Sequence, residues 1–283
     1  MSIEQVAVIG AGTMGHGIAQ IAAQAGFAVA LVDINETLIE KGRSMIESNL
    51  RKGVERGKVT EQDMASALGR IRATTDVEDA AKAADLVIEA VVERLDAKRE
   101  LFADLDAWCG SETILATNTS SLSIGSIASA TGRADRVIGM HFFNPVHIMK
   151  LLEVVTGADT SGETLRAALD VAARMGKEAI TVKDTPGFAT SRLGVALGLE
   201  AMRMLEQGVA SAEDIDKAMV LGYNHPMGPL RLTDLVGLDI RLNIADYLFG
   251  ELGSAVFNPP EILRRKVAEG KLGKKTGEGF YKW

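Results

Sequence analysis

Val6-Ala7-Val8-Ile9-Gly10-Ala11-Gly12-Thr13-Met14-Gly15 decides how this chain is read. An apolar run enters a Gly-x-Gly-x-x-Gly without a break, and Ile18, Ile21, Ala22 and Ala25 then recur at helical spacing. Gly26 closes that helix, residues 28–32 read as a second strand, and the strand ends in Asp33. Strand, glycine turn, helix, strand and acid form the order that a dinucleotide-binding βαβ unit requires. Gly10 makes the tight turn, Gly12 lets a pyrophosphate approach the backbone, and Gly15 permits close packing of helix on strand. The start of the helix offers unpaired N–H groups and the positive end of its dipole to the phosphates. Gly10, Gly12, Thr13, Met14 and Gly15 are thus the expected cofactor-binding loop. Asp33 can accept hydrogen bonds from a ribose 2′-hydroxyl and would repel a 2′-phosphate. Ile34-Asn35 follow it rather than an arginine, so NAD is expected over NADP.

Working outward, residues 36–56 read as a long charged helix. Strands are expected at 71–74, 86–90, 114–117, 137–141, 151–155 and 179–182, with helices between them. The character changes at Lys183-Asp184-Thr185-Pro186-Gly187. Beyond it, helical periodicity covers 193–207, 212–221, 233–249 and 260–269. The expected fold is an α/β, Rossmann-like, doubly wound sheet in residues 1–183, followed by an all-α domain in 184–283. A substrate site would lie beyond the carboxyl ends of the strands.

A second stretch carries chemistry. Met140-His141-Phe142-Phe143-Asn144-Pro145 ends a strand in a histidine and a turn signal, and Leu151-Leu152-Glu153-Val154-Val155 places a carboxylate in an apolar strand. If the two strands pair as a hairpin, one register sets His141 opposite Glu153. A buried carboxylate there would fix the imidazole tautomer and stabilise its protonated form, as a general base requires. The residues alone also allow a histidine in a satisfied polar contact near a strand end.

Composition narrows the classes. The chain has 283 residues, 47% hydrophobic and 24% charged, enough for two domains with a substantial core. A net charge of −7, with no long basic run, argues against a nucleic-acid partner. The single cysteine, Cys109, excludes an intramolecular disulfide and a cysteine-cluster metal site. His16, His141, His147 and His225 lack metal-ligand spacing, so no metal is expected. No apolar run approaches the roughly 18–20 residues that cross a bilayer, and no basic-then-apolar leader opens the chain. The expectation is a cytoplasmic protein without a membrane partner.

The loop at 10–15, the segment at 89–93, Asn118-Thr119-Ser120-Ser121, the stretch at 140–145, Glu153, Pro186-Gly187-Phe188, His225-Pro226-Met227-Gly228-Pro229 and the segment at 277–281 carry a further signal together. Through them the chain resembles the short-form L-3-hydroxyacyl-CoA dehydrogenases, including bacterial 3-hydroxybutyryl-CoA dehydrogenases, over nearly its whole length. The resemblance implies NAD as cofactor, an acyl-CoA substrate with a short acyl chain as the default, and a homodimer formed through the helical domain. It implies that His141 takes the proton of the 3-hydroxyl, that Glu153 orients it, and that Ser120 hydrogen-bonds the reacting oxygen. Asn118 and Asn144 would contact cofactor or substrate near the reacting centre, and Glu93 and Lys98 the nicotinamide end. Lys52 and Arg56 stand where the family places cations near the CoA phosphates. Their i, i+4 spacing puts them on one helix face, and basic side chains supply the charge-assisted bonds that phosphates take.

Two positions depart from the family pattern. Ser191 replaces the asparagine of Pro-Gly-Phe-x-x-Asn-Arg, keeping a donor and an acceptor on a shorter stem. It either contacts substrate or caps the helix that follows. Arg231 stands where an acid is usual, and either meets the distal carboxylate of a dicarboxylic acyl chain, such as 3-hydroxyadipyl-CoA, or makes a surface ion pair. Other readings are a dehydrogenase of a 3-hydroxy acid without CoA, and a non-catalytic NAD-binding structural protein. The intact set of Ser120, His141 and Glu153 argues against the second.

Overall fold

In the computed structural model, which describes residues 2–283, the chain falls into two units that divide after Thr185. The first begins β1 (Gln5–Ile9), α1 (Gly15–Gln24), β2 (Ala28–Val32), α2 (Glu36–Glu55), α3 (Glu61–Gly69) and β3 (Ile71–Thr74). It continues α4 (Val77–Lys82), β4 (Leu86–Glu89), α5 (Leu95–Trp108), β5 (Ile114–Thr117), α6 (Ile124–Ala128) and β6 (Val137–Phe142). It ends with β7 (Leu151–Thr156), α7 (Gly162–Arg174) and β8 (Glu178–Lys183).

The strands form a single sheet in the order β3-β2-β1-β4-β5-β6-β7-β8. From β3 to β6 every pairing is parallel; β6 and β7 pair antiparallel, and β7 and β8 parallel. Helices cover the central strands on both faces, which is why β4, β5 and β6 are buried along their whole length and read as apolar runs that carry a polar residue, Glu89, Thr117 and His141, only at or near their carboxyl ends. The edge strand β8 is exposed except at Ala179 and Val182, which are half-buried. Chain order reverses between β1 and β4, the switch point where such sheets open a crevice at the carboxyl ends of their strands.

The second unit contains α8 (Thr190–Glu206), α9 (Ala212–Gly222), α10 (Pro229–Val236), α11 (Leu238–Leu252) and α12 (Glu261–Ala268). Val195, Leu199, Met202, Ile215, Leu230, Leu238, Leu248 and Leu263 make its core. The helix expected over 233–249 is two helices. Gly237 adopts φ 108°, outside any helical geometry, and breaks the chain between α10 and α11. Asp216 accepts the N–H groups of Leu230 and Arg231 and so caps α10 (2.8 Å each). Asp234 accepts from the N–H groups of Phe280 and Tyr281 and from Trp283 Nε1, which pins the C-terminal residues.

Candidate active site

At the carboxyl edge of the sheet, the loops after β1, β4 and β5 are each tied to a neighbouring strand by a backbone bond that continues the ladder. Gly10 N–H donates to Val32 O (2.7 Å), Ala90 N–H to Ile9 O (2.8 Å) and Asn118 N–H to Glu89 O (2.8 Å). Phe142 N–H donates to Asn118 Oδ1 (2.9 Å), which joins the end of β6 to the end of β5. That bond uses the carbonyl of Asn118 and leaves its amide NH2 as the group with donors to offer a ligand.

The glycine loop is built as the sequence requires. Gly10 has φ 102°, and a β-carbon there would lie 2.6 Å from Ala90 O. A β-carbon on Gly15 would lie 1.6 Å from Gly10 O, whereas one on Gly12 would meet nothing within 4 Å. Gly10 and Gly15 are thus demanded by the fold, while Gly12 borders open space, as a pyrophosphate cradle needs. No side chain caps the first turn of α1; His16 N–H donates to Gly12 O (3.2 Å), and the other amides of that turn are placed to meet an anion. Asp33 accepts from Ala11 N–H and Ile34 N–H, each at 2.7 Å and one to each oxygen. A carboxylate has about four acceptor sites, so Asp33 holds the loop and can still take a ribose hydroxyl. These features fit NAD. His16 is buried and sets its Nδ1 2.7 Å from Gly12 O, so it shapes the loop.

β6 and β7 pair with His141 opposite Glu153. His141 Nδ1 lies 2.7 Å from Glu153 Oε2, the carboxylate is fully buried, and the imidazole is 7% exposed. Phe143 stacks on the imidazole at 4.5 Å between ring centroids. With Nδ1–H given to the carboxylate, Nε2 carries the lone pair.

A second charged network supports the β4 and β5 ends. Glu89, fully buried, accepts Lys98 Nζ (2.6 Å), Val91 N–H (2.7 Å) and Thr117 Oγ1–H (2.6 Å). Lys98 is 1% exposed and also reaches Glu93 at 3.2 Å. Glu93 accepts Thr119 Oγ1–H (2.6 Å), Ser120 N–H (2.7 Å) and Ser120 Oγ–H (3.1 Å). Burial works against its charge, but Lys98 and the Thr119 and Ser120 bonds outweigh burial and hold Glu93 below the usual carboxylate range. Lys98 therefore spends its ammonium on two glutamates, and acts through Glu93. The sequence reading gave no role to Glu89. The signal was an acid closing the apolar strand Leu86-Val87-Ile88-Glu89, a position that burial makes costly unless a cation faces it.

Asn144 is exposed in the turn after β6. Lys52 and Arg56 are exposed at the end of α2, while Glu47 pairs instead with Arg51 (2.6 Å). Burial first, and then His16, Lys177 and Lys52, hold His147 below the ordinary imidazole range, which puts the Lys52 ammonium within electrostatic reach of His147. Ser191 does not cap α8: Ala189 is the capping position, without a side-chain bond, and Ser191 lies inside the first turn. Arg231 stacks its guanidinium over Tyr281 (5.4 Å) and Trp283 (4.8 Å). Among the described residues no group of three or more His, Cys, Asp or Glu is placed to hold a metal ion, and no helix is long and apolar enough to cross a membrane.

Residues 5–185 match the family model for the 3-hydroxyacyl-CoA dehydrogenase NAD binding domain, and residues 187–283 that for the 3-hydroxyacyl-CoA dehydrogenase C-terminal domain. A probable 3-hydroxybutyryl-CoA dehydrogenase of Bacillus subtilis is 48% identical over 281 residues, 99% of this chain and 98% of that protein. Human mitochondrial hydroxyacyl-coenzyme A dehydrogenase is 46% identical over 287 residues, covering 99% of this chain and 91% of the relative. The crystal structure of (S)-3-hydroxybutyryl-CoA dehydrogenase from Ralstonia eutropha superposes with a TM-score of 0.97 at 45% identity, over 100% of this chain and 99% of that one.

Proposed function

The chain belongs to the 3-hydroxyacyl-CoA dehydrogenase family, and from that premise we propose the roles its residues play. The protein is an NAD-dependent oxidoreductase that converts L-3-hydroxyacyl-CoA to 3-ketoacyl-CoA and runs the reverse reduction, with the 3-hydroxybutyryl thioester as its short-chain substrate. The observation that carries the assignment of roles is the buried His141–Glu153 pair at the carboxyl edge of a dinucleotide-binding sheet.

Oxidation of a secondary alcohol removes a proton from oxygen and a hydride from carbon. Bound NAD supplies the hydride acceptor. His141 Nε2 takes the hydroxyl proton, and Glu153 stabilises the imidazolium that results. In reduction the same imidazolium polarises the ketone and returns the proton to the forming alkoxide. Ser120 has a single hydroxyl hydrogen, which points to Glu93 in this structure. To donate to the reacting oxygen the hydroxyl must rotate away, and Lys98 and Thr119 keep Glu93 compensated while it does. Glu93 and Asn144 contact the nicotinamide end and Asn118 offers its amide NH2 there, with Lys98 positioning Glu93. Gly10, Gly12, Thr13, Met14, Gly15 and Asp33 hold the rest of the dinucleotide. Lys52 and Arg56 meet the phosphates of CoA, and Ser191 contacts the acyl thioester.

The reading extends to a cytoplasmic homodimer formed through the helical unit. Leu193, Leu232, Leu235, Val236 and Ile240 are exposed apolar side chains of that unit, a surface suited to a second copy.

The test is NADH oxidation by the purified protein with acetoacetyl-CoA, with H141A and free acetoacetate in parallel. Turnover should require the CoA moiety, and H141A should lose about 10²–10⁴-fold in rate. NADH binding without reduction of any 3-ketoacyl-CoA would overturn the reading.

A further inference from the structure

The turn that joins β6 to β7 carries Asn144 beyond the reach of the ladder, whose last paired residues are Phe142 and Leu152. His141 and Phe142 are held by strand pairing, by Glu153 and by Asn118. Asn144 is exposed, and no hydrogen bond among the described residues holds it. Its place is therefore set by the turn that follows. Pro145 O accepts the N–H groups of Ile148 (3.0 Å) and Met149 (2.9 Å), which closes residues 145–149 into one unit. Val146 is 2% exposed, and a β-carbon on Gly17 would lie 2.8 Å from Val146 Cβ, so the unit is seated directly on α1. Gly17 stands two residues past Gly15, in the first turn of the helix that receives the dinucleotide.

Lys177, between α7 and β8, closes this seat. Its ammonium donates to Val146 O (2.5 Å) and to Met149 O (2.7 Å). Its backbone is fixed on both sides. Lys177 N–H donates to Ala172 O at the end of α7 (2.9 Å), with Gly176 at φ 69° making the bend, and Glu178 N–H donates to Lys150 O (2.9 Å) where β8 begins. Lys177 makes no ion pair among the described residues, and burial draws its pKa below the ordinary lysine value. A half-buried cation that gives up hydration for two neutral carbonyls contributes little net stability. What it fixes is the place of the turn on α1.

That place matters to the reaction. The glycine loop at the start of α1 holds the pyrophosphate, and Asn144 meets the nicotinamide end of the same cofactor. Hydride transfer needs the nicotinamide carbon at near-attack distance from the substrate carbon, and a misplacement of about 1 Å costs on the order of 10²-fold. Both groups that hold the cofactor are referred to one packed contact, Val146 on Gly17, with Lys177 behind it.

We propose that Lys177 is a positioning residue for hydride transfer, setting Asn144 relative to the cofactor helix α1 through its bonds to Val146 O and Met149 O. The proposal rests on the dehydrogenase reading and on Asn144 as a nicotinamide contact.

The experiment is a double-mutant cycle on the full chain, with wild type, K177M, N144A and K177M/N144A. The NADH complex of each is mixed with excess acetoacetyl-CoA, and the decay of NADH absorbance in a single turnover gives a rate constant and an amplitude. K177M should lower the rate constant by about tenfold or more and keep the amplitude. K177R, which retains a cation with donors for both carbonyls, should recover most of the rate. In the N144A background K177M should cost no more than about twofold, because the two residues act on one contact. A merely structural role predicts otherwise: a smaller competent fraction lowers the amplitude and leaves the rate constant, and independent damage costs the same factor in both backgrounds. Either of those results overturns the proposal, and the same cycle on K177Q decides it if K177M does not fold. A wild-type rate constant in K177M sinks this inference alone. A wild-type protein that binds NADH and reduces no 3-ketoacyl-CoA overturns the reading beneath it, and the proposal with it.

Discussion

His141 and Glu153 stand in register across the antiparallel β6–β7 pairing, with Nδ1 2.7 Å from Oε2 and the carboxylate fully buried. The strand register, rather than a flexible loop, fixes this geometry. A slip of either strand by one residue would turn its member of the pair to the opposite face of the sheet and part the two side chains.

Glu153→Gln tests what the charge does, because the amide keeps the shape and can still accept Nδ1–H through its oxygen. It cannot stabilise the imidazolium. kcat for acetoacetyl-CoA reduction should fall by about 10²–10⁴-fold, with NADH affinity from fluorescence titration unchanged. A loss smaller than tenfold would mean that the pair holds the sheet together and does not serve the proton transfer.

Gly12 and Gly15 separate fold from binding within one motif. Gly15→Ala drives a β-carbon to 1.6 Å from Gly10 O, while Gly12→Ala meets no protein atom within 4 Å. In the cofactor-free protein, G15A should lose about 3 kcal/mol or more of unfolding free energy, and G12A no more than about 0.5 kcal/mol. G12A should instead weaken NADH binding by at least about tenfold, the scale of a lost charge-assisted contact. Urea unfolding and NADH titration of both variants decide it, and equal destabilisation by the two would refute the distinction.

Strand–glycine–helix order, an acid at a strand end and a hairpin register are local properties, and they were legible in the chain. Residues 137–141 and 151–155 show the short apolar runs and turn residues from which a hairpin can be aligned. The break at Gly237 was not legible. Apolar spacing runs through 233–249, and a glycine inside a helix costs only about 1 kcal/mol, so periodicity carries across it. Only the backbone, at φ 108°, shows the end of α10. The partnership of Glu89 with Lys98 was hidden for another reason. One lies at the end of a strand and the other on the next helix, so no spacing rule joins them and packing alone does.

Glu93 gives a pH prediction. Burial would raise its pKa, but Lys98, Thr119 and Ser120 prevail and hold it below the ordinary value of 4.5. A depressed carboxylate contributes above its unfolded pKa, and the contribution is lost as pH falls through the folded value. Its bonds to the Thr119–Ser120 turn should therefore be half lost only below pH 4.5, with NADH affinity flat around neutral pH. In Lys98→Met the main lowering influence is gone, so the decline should begin at higher pH; in Glu93→Gln this component should vanish. NADH titrations across pH on the three proteins measure it. A wild-type decline with its midpoint above 4.5 that disappears in Glu93→Gln would contradict the network.

Lys52 and Arg56 are exposed, and Arg51 rather than either of them takes Glu47, so neither charge is committed to that neighbour. Lys52 and Lys177 both act on the His147 imidazole and help hold it below the ordinary range, so two ammonium groups share this side of the molecule, a field that suits a dense anion. Reversing both charges, K52E/R56E, should raise KM for acetoacetyl-CoA by about tenfold or more, with the loss in KM rather than kcat, because these groups would bind ground state and transition state alike. The wild-type KM should rise with salt, and the variant's should rise less. The control is acetoacetyl-pantetheine, which carries the reacting ketone and thioester without the nucleotide phosphates. Its KM should be the same for both proteins; an equal penalty on the truncated thioester would show that the two cations act on something other than the phosphates of CoA.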